Sequence, residues 1–177
     1  MLSPFNIRPD GTRVFVAPIG DTGTMPLIAL NDLAWWVRYI FDNAPSTTGK
    51  NLEVASHVAT FPEIVETFRH VTGLPAEYKS PSMDEYFALW NGDKIPIASE
   101  VPDGKTWESN FRAFFATWRD NIVKRDMKWI ASVHPPTTLE KWMRDTGYTG
   151  VPAGKFLKNT EDRRNNLIRI RGKVAKL

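Results

Sequence analysis

Three histidines, His57, His70 and His134, are the side chains here whose ordinary pKa suits proton transfer near neutral pH. His57 follows Asn51–Ser56 (NLEVAS), a segment that reads as a strand. It would stand at the strand end where open parallel sheets place ligands. General acid–base chemistry at His57 is therefore the candidate catalytic function, with a turn histidine bonded to nearby backbone as the alternative. His70 falls beside the apolar face of a helix and His134 precedes two prolines. No two of them have metal-ligand spacing, so no metal is expected. Cysteine is absent, which removes disulfides, thiolate ligands and thiol nucleophiles together. Asp21, Asp32, Glu53, Asp120 and Asp126 lie near apolar segments. For Asp32 a helix-capping role accounts for the residue, and for Asp120 an ion pair with Arg119 or Lys124 does. No Ser–His–Asp set can be assembled from spacing alone.

A second set is aromatic. Trp107, Phe111, Phe114, Phe115, Trp118 and Ile122 recur at helical spacing after a long loop, residues 91–106, with Trp90 just before it. Such a stripe is a core face, or the wall of a pocket for a flat organic molecule. Trp90, Trp107, Phe111, Phe114, Phe115 and Trp118 are the candidate substrate-pocket residues. Two glycine-rich stretches raise the question of a phosphate cradle. Residues 18–25 (PIGDTGTM) run from strand into strand and lack the following helix and Lys-Ser/Thr, so a turn is expected. Residues 147–150 (GYTG) follow a helix, which is the wrong context for a dinucleotide fingerprint.

These residues must be positioned by the stretch from Pro26 to Gly73. Leu27–Leu30 is a continuous apolar run, as in a strand covered on both faces. Asn31 and Asp32 supply helix-start oxygens, and Leu33, Trp36, Val37, Ile40, Phe41 and Ala44 make one broad apolar face ending at Pro45–Gly49. After Asn51–Ser56, Thr60 and Glu63 form a capping-box pair for a helix with the face Ile64, Val65, Phe68 and Val71, stopped by Gly73. A strand, a crossover helix and a strand predict a right-handed parallel unit. Arg13–Ala17 and Ala76–Lys79 are further short strands. Ser82 with Glu85, and Thr137 with Glu140, have capping-box spacing for two later helices.

The 177 residues suit one domain with a real core, at 42% apolar and 12% aromatic residues. The N-terminus lacks a signal pattern and no apolar run has membrane-spanning length, so a cytoplasmic protein is expected. Charge is uneven. Residues 150–177 hold eight Lys/Arg against two acids, a balance of +6, leaving −3 for the preceding 149. This basic C-terminal tail contains no aromatic after Phe156 to stack on bases, so no nucleic-acid partner and no membrane partner is expected.

Three segments together, PLIALNDLAWWV, GKNLEVASHVATFPEIVETFRHVTG and RDMKWIASVHPPTTLEKWMRDTGYTG, resemble the NmrA-like family of atypical short-chain dehydrogenase/reductases, in its fungal form. The resemblance spans roughly Arg13 to Lys158. It implies an α/β fold, a partial Rossmann-like parallel sheet of two or three strands with a mainly helical substrate-binding C-terminal portion. The family opens on a strand, G-x-x-G-x-x-G and a helix, an arrangement not found among the eleven glycines here. Residues 1–149 accordingly resemble the family's C-terminal, substrate-binding half. No cofactor-binding residue carries over, and NADP(H) is expected only if a nucleotide-binding half is supplied elsewhere. The resemblance implies a small-molecule enzyme: the substrate half of a reductase, or a shortened cofactor-free isomerase or cyclase. A non-catalytic binding or regulatory protein acting through a protein interface is the alternative. Two covered strand faces in so short a sheet predict a partner, either a second copy (homodimer) or a companion chain.

Overall fold

In the computed structural model the described residues are 3–97, 104–151 and 170–174. Two small sheets organise them. In the first, β1 (Asn6–Ile7) pairs antiparallel with β2 (Arg13–Val16), and β2 pairs parallel with β5 (Ala76–Lys79). Val14, Phe15 and Val16 are all buried, the pattern of a central strand covered on both faces. In the second, β3 (Thr24–Leu27) pairs antiparallel with β4 (His57–Thr60). The mixed α/β architecture with a parallel pair is the partial Rossmann-like class that the sequence predicts, built from different strands.

The parallel unit expected between Leu27–Leu30 and Asn51–Ser56 does not form. The apolar run divides: Leu27 ends β3, while Leu30 begins α1 (Leu30–Asp42). Residues 51–56 take no regular strand, and pairing starts at His57, opposite Leu27. Ser56 N–H donates to Leu27 O at 2.7 Å, which starts the antiparallel ladder. The connection through α1 and α2 (Ala44–Thr47) reverses the chain, so a helix between two apolar segments does not fix a crossover. The parallel neighbour of β2 comes instead through α3 (Phe61–Thr72), whose Ile64, Val65 and Phe68 are buried.

Local signals hold where they are local. Thr60 Oγ1 accepts from Glu63 N–H at the start of α3, and Gly73 closes it in the left-handed region at φ 67°. Ser82 and Glu85 complete a capping box on α4 (Met83–Phe87). Helix α5 (Trp107–Arg119) ends before Ile122, which is exposed instead of joining the stripe. Helices α6 (Met127–Val133) and α7 (Leu139–Asp145) follow. The third capping pair is displaced by one residue: Thr138 caps α7, accepting from Lys141 N–H, and Thr137 is taken by Asp32.

The loop between β2 and β3 is a turn, as expected. Gly20 N–H donates to Ser80 Oγ at 2.8 Å, and a Cβ on Gly23 would lie 2.3 Å from Ile19 O. Gly23 thus serves close approach within the protein, and Gly20 serves the left-handed turn at φ 68°. Most of the basic tail, 152–169 and 175–177, lies outside the described residues. Near its end the tail returns to the body: α8 (Arg171–Val174) buries Val174, and Ile170 N–H donates to Leu89 O at 2.8 Å. Among the described residues no helix is long and apolar enough to cross a membrane.

Candidate functional site

Asp32 lies in the first turn of α1, where its spacing suggests a cap. Ala29 occupies the N-cap position with no side-chain cap, and the Asp32 carboxylate turns inward, 4% exposed. Its two oxygens accept from three donors. Ser56 Oγ donates to Oδ2, Thr137 N–H donates to Oδ2 at 2.8 Å, and Thr137 Oγ1 donates to Oδ1 at 2.7 Å. Ser56 Oγ in turn accepts from Ala29 N–H at 2.9 Å. His134 Nε2 stands 3.8 Å from Asp32 Oδ1 and makes an ion pair when the ring is protonated. The His134 ring stacks on Trp35 at 4.1 Å and 10°. Burial pushes the Asp32 carboxyl up, but the Ser56 and Thr137 hydrogen bonds, with His134, hold it below the ordinary carboxylate value. One carboxylate thus joins the start of α1, the lead into β4 and the lead into α7.

These three segments border a half-open cleft of about 210 Å³. Its walls are apolar, from Leu27, Ile28, Leu30, Leu139 and Trp142, with Ser56, His57, Thr137 and Thr138 as its polar groups. A few placed polar groups on an apolar wall are the composition of a small-molecule site. His57 is the candidate that the structure brings here. It opens β4 rather than closing a strand, and Nε2 lies 2.8 Å from Glu63 Oε1. A carboxylate acceptor selects the Nε2–H tautomer and leaves Nδ1 with the lone pair. The arrangement is an imidazole hydrogen-bonded to a carboxylate, at the edge of an apolar cleft.

Sequence reasoning missed Ser56, Thr137, Trp142 and the true partner of Glu63. The Thr60–Glu63 spacing signalled a cap, and the Glu63 backbone fulfils it while its carboxylate goes to His57. The spacing marks Thr137 only as a helix cap, and nothing in it points to Asp32, 105 residues away. The other candidates are elsewhere. His70 is on the surface of α3, 3.6 Å from Glu140. Glu53 pairs with Arg125 at 3.5 Å, Asp120 with Arg119 at 2.8 Å, and Asp126 caps α6 through Trp129 N–H. Among the described residues no group of three His, Cys, Asp or Glu side chains is placed to hold a metal.

The aromatic candidates gather in a different region. Phe115 and Trp118 are buried, and Trp90, Trp107, Phe111 and Phe114 pack partly buried against the same core. Trp107 stacks on Phe111 at 4.6 Å, and the Phe114 and Trp118 centroids are 4.0 Å apart. Trp90 also borders an open depression with Asp84, Arg112 and Lys173.

The strand-to-helix junctions are where a glycine turn would cradle the pyrophosphate of a dinucleotide. Those leading into α1, α3 and α4 carry Ala29, Thr60 and Ser82 at the helix start, and none contains a glycine turn. The described residues therefore do not fit a pyrophosphate cradle of the glycine-turn kind.

No family model matches this chain, and no curated protein matches it. Among solved structures, it is similar to a nucleoside-diphosphate-sugar epimerase from Staphylococcus aureus, with 18% identity and a TM-score of 0.56. The match covers 74% of this chain and 43% of that one, so the chain spans under half of the epimerase's length. At that identity the likeness establishes the fold.

Proposed function

We propose that this chain is the substrate-binding portion of a small-molecule enzyme of the NmrA-like, short-chain dehydrogenase/reductase type, with its ligand in the cleft beside His57. The observation that carries this reading is the cleft itself: apolar walls, Ser56 and Thr137 hydroxyls, and an imidazole held by Glu63. The likeness to an epimerase fold supports the same kind of protein. A cleft of about 210 Å³ suits a compact organic molecule with one or two oxygen functions. His57 acts as the general base through Nδ1, taking a proton from a carbon or hydroxyl of the ligand. Glu63 stabilises the imidazolium that forms. Proton transfer of this type is the chemistry of an isomerisation or a cyclisation. NADP(H) belongs to the reductase form of the reading, in which another polypeptide segment holds it.

A second reading, a non-catalytic binding protein, is favoured by one observation: Leu30 and Phe41 on α1 are 78% and 76% exposed. A fragment screen by protein-observed NMR separates the two. Small phenols and cyclic ketones are expected to shift the amides of Ser56, His57 and Leu139. Leu139→Trp, which fills the cleft, should weaken that binding at least tenfold. Shifts that map elsewhere, or none at millimolar fragment, would overturn the cleft as a ligand site.

A further inference from the structure

Helix α1 is apolar on two sides. One side, Trp35, Trp36 and Tyr39, packs inward, with Trp36 against Trp129 at 5.5 Å. The other side carries Leu30, Leu33, Ala34, Val37, Ile40 and Phe41, all exposed. The helix is polar along its surface only at Asn31, Arg38 and Asp42, the last two joined at 3.1 Å. An apolar stripe on a helix is a face that packs against something, and α1 has two. No described element covers the second side.

We propose that this side is the interface of a homodimer, with two copies of α1 packed antiparallel across a twofold axis. Two observations favour a second copy as the occupant. Leu30, Ala34, Val37 and Phe41 are spaced four, three and four residues apart, the seam of helices that pack on their own kind, with Leu33 and Ile40 beside it. The exposed parts of these side chains come to on the order of 600 Å², near the ~800 Å² per partner of a standard interface and at the limit of what monomers expose. Antiparallel pairing sets opposite helix ends together, which favours it over a parallel pair. It also sets Leu30 against the partner copy's Phe41, the two most exposed positions, and Val37 against the small Ala34. Leu30 and Ile28 form the open rim of the cleft. The partner copy's Phe41 would thus close that rim, and each cleft is complete only in the dimer.

The test uses the full chain in sedimentation and light scattering at micromolar concentration. The wild type is expected to show twice its 20.1 kDa mass. Val37→Glu and Phe41→Glu, both at exposed positions, should raise the dimer dissociation constant at least 100-fold with unchanged circular dichroism. Since the chain has no cysteine, single introduced thiols report the geometry cleanly. An oxidised mixture of Leu30→Cys and Phe41→Cys chains should give the mixed disulfide, and either alone should not. A monomeric wild type, a dimer untouched by both glutamates, or Leu30→Cys chains linking to each other would overturn the proposal. The first result would leave the face to a companion chain. None of these measurements depends on what the cleft binds.

Discussion

Phe68, at the centre of the β2–β5 side of the molecule, and Asp32, at the centre of the α1 side, are both buried, but what surrounds them differs. Around Phe68 the neighbours are rings and branched chains: Phe15 at 5.5 Å, Tyr148 at 5.9 Å, and the same apolar cluster as Phe115. Around Asp32 they are hydroxyls, an N–H and an imidazole. The first region is held by area removed from water, which is non-directional and tolerant of exchange. The second is held by directional bonds to a charge, and each donor must stay in place. That precision suits the region that carries the cleft. Tyr148 marks the apolar side from another direction, since burial pushes its hydroxyl up to about 12.

The largest effect should come from emptying the apolar side. Phe68→Ala removes a fully buried ring and should cost on the order of 3–5 kcal/mol in urea unfolding. A loss below about 1 kcal/mol would show that this side is not the principal core.

Asp32→Asn should cost less, about 2–3 kcal/mol, because it removes the charge that three donors address. The pH dependence sharpens the contrast. The folded carboxyl lies below its ordinary value of 3.8, so its contribution is present above about pH 4 and is lost as pH falls through the folded value. Acid titration of wild type should show this loss, and Asp32→Asn should lack it. Equal acid limbs in the two proteins would break the comparison.

A smaller change tests whether the aromatic side relies on local signals. Ser82→Ala deletes the capping box of the five-residue α4 and should cost about 1 kcal/mol, read as a lower urea midpoint at unchanged slope.

The smallest intramolecular effect is expected on the outer side of α1. Phe41→Ser should change stability by no more than about 0.5 kcal/mol when measured on dilute monomer. A larger loss would mean that Phe41 contributes to packing within the chain, and the two sides of α1 would no longer be distinct.

What the sequence alone determined is local. Thr60, Gly73 and Ser82 set helix ends because a cap contacts backbone within a few residues, and that range is visible in spacing. Arg13–Ala17, by its alternation, and Ala76–Lys79 were legible as short strands, and the α3 face from its period. His57 was legible as a candidate by its chemistry. Its setting was not, because Glu63 is visible from spacing only as a cap. Tertiary structure decided strand direction: β3 and β4 run antiparallel because of where the chain turns after α1, which apolar runs do not encode. It also decided the role of Asp32. A carboxylate at a helix start satisfies a cap or a distant donor equally well, and Thr137, 105 residues away, settles the choice only once the chain has folded.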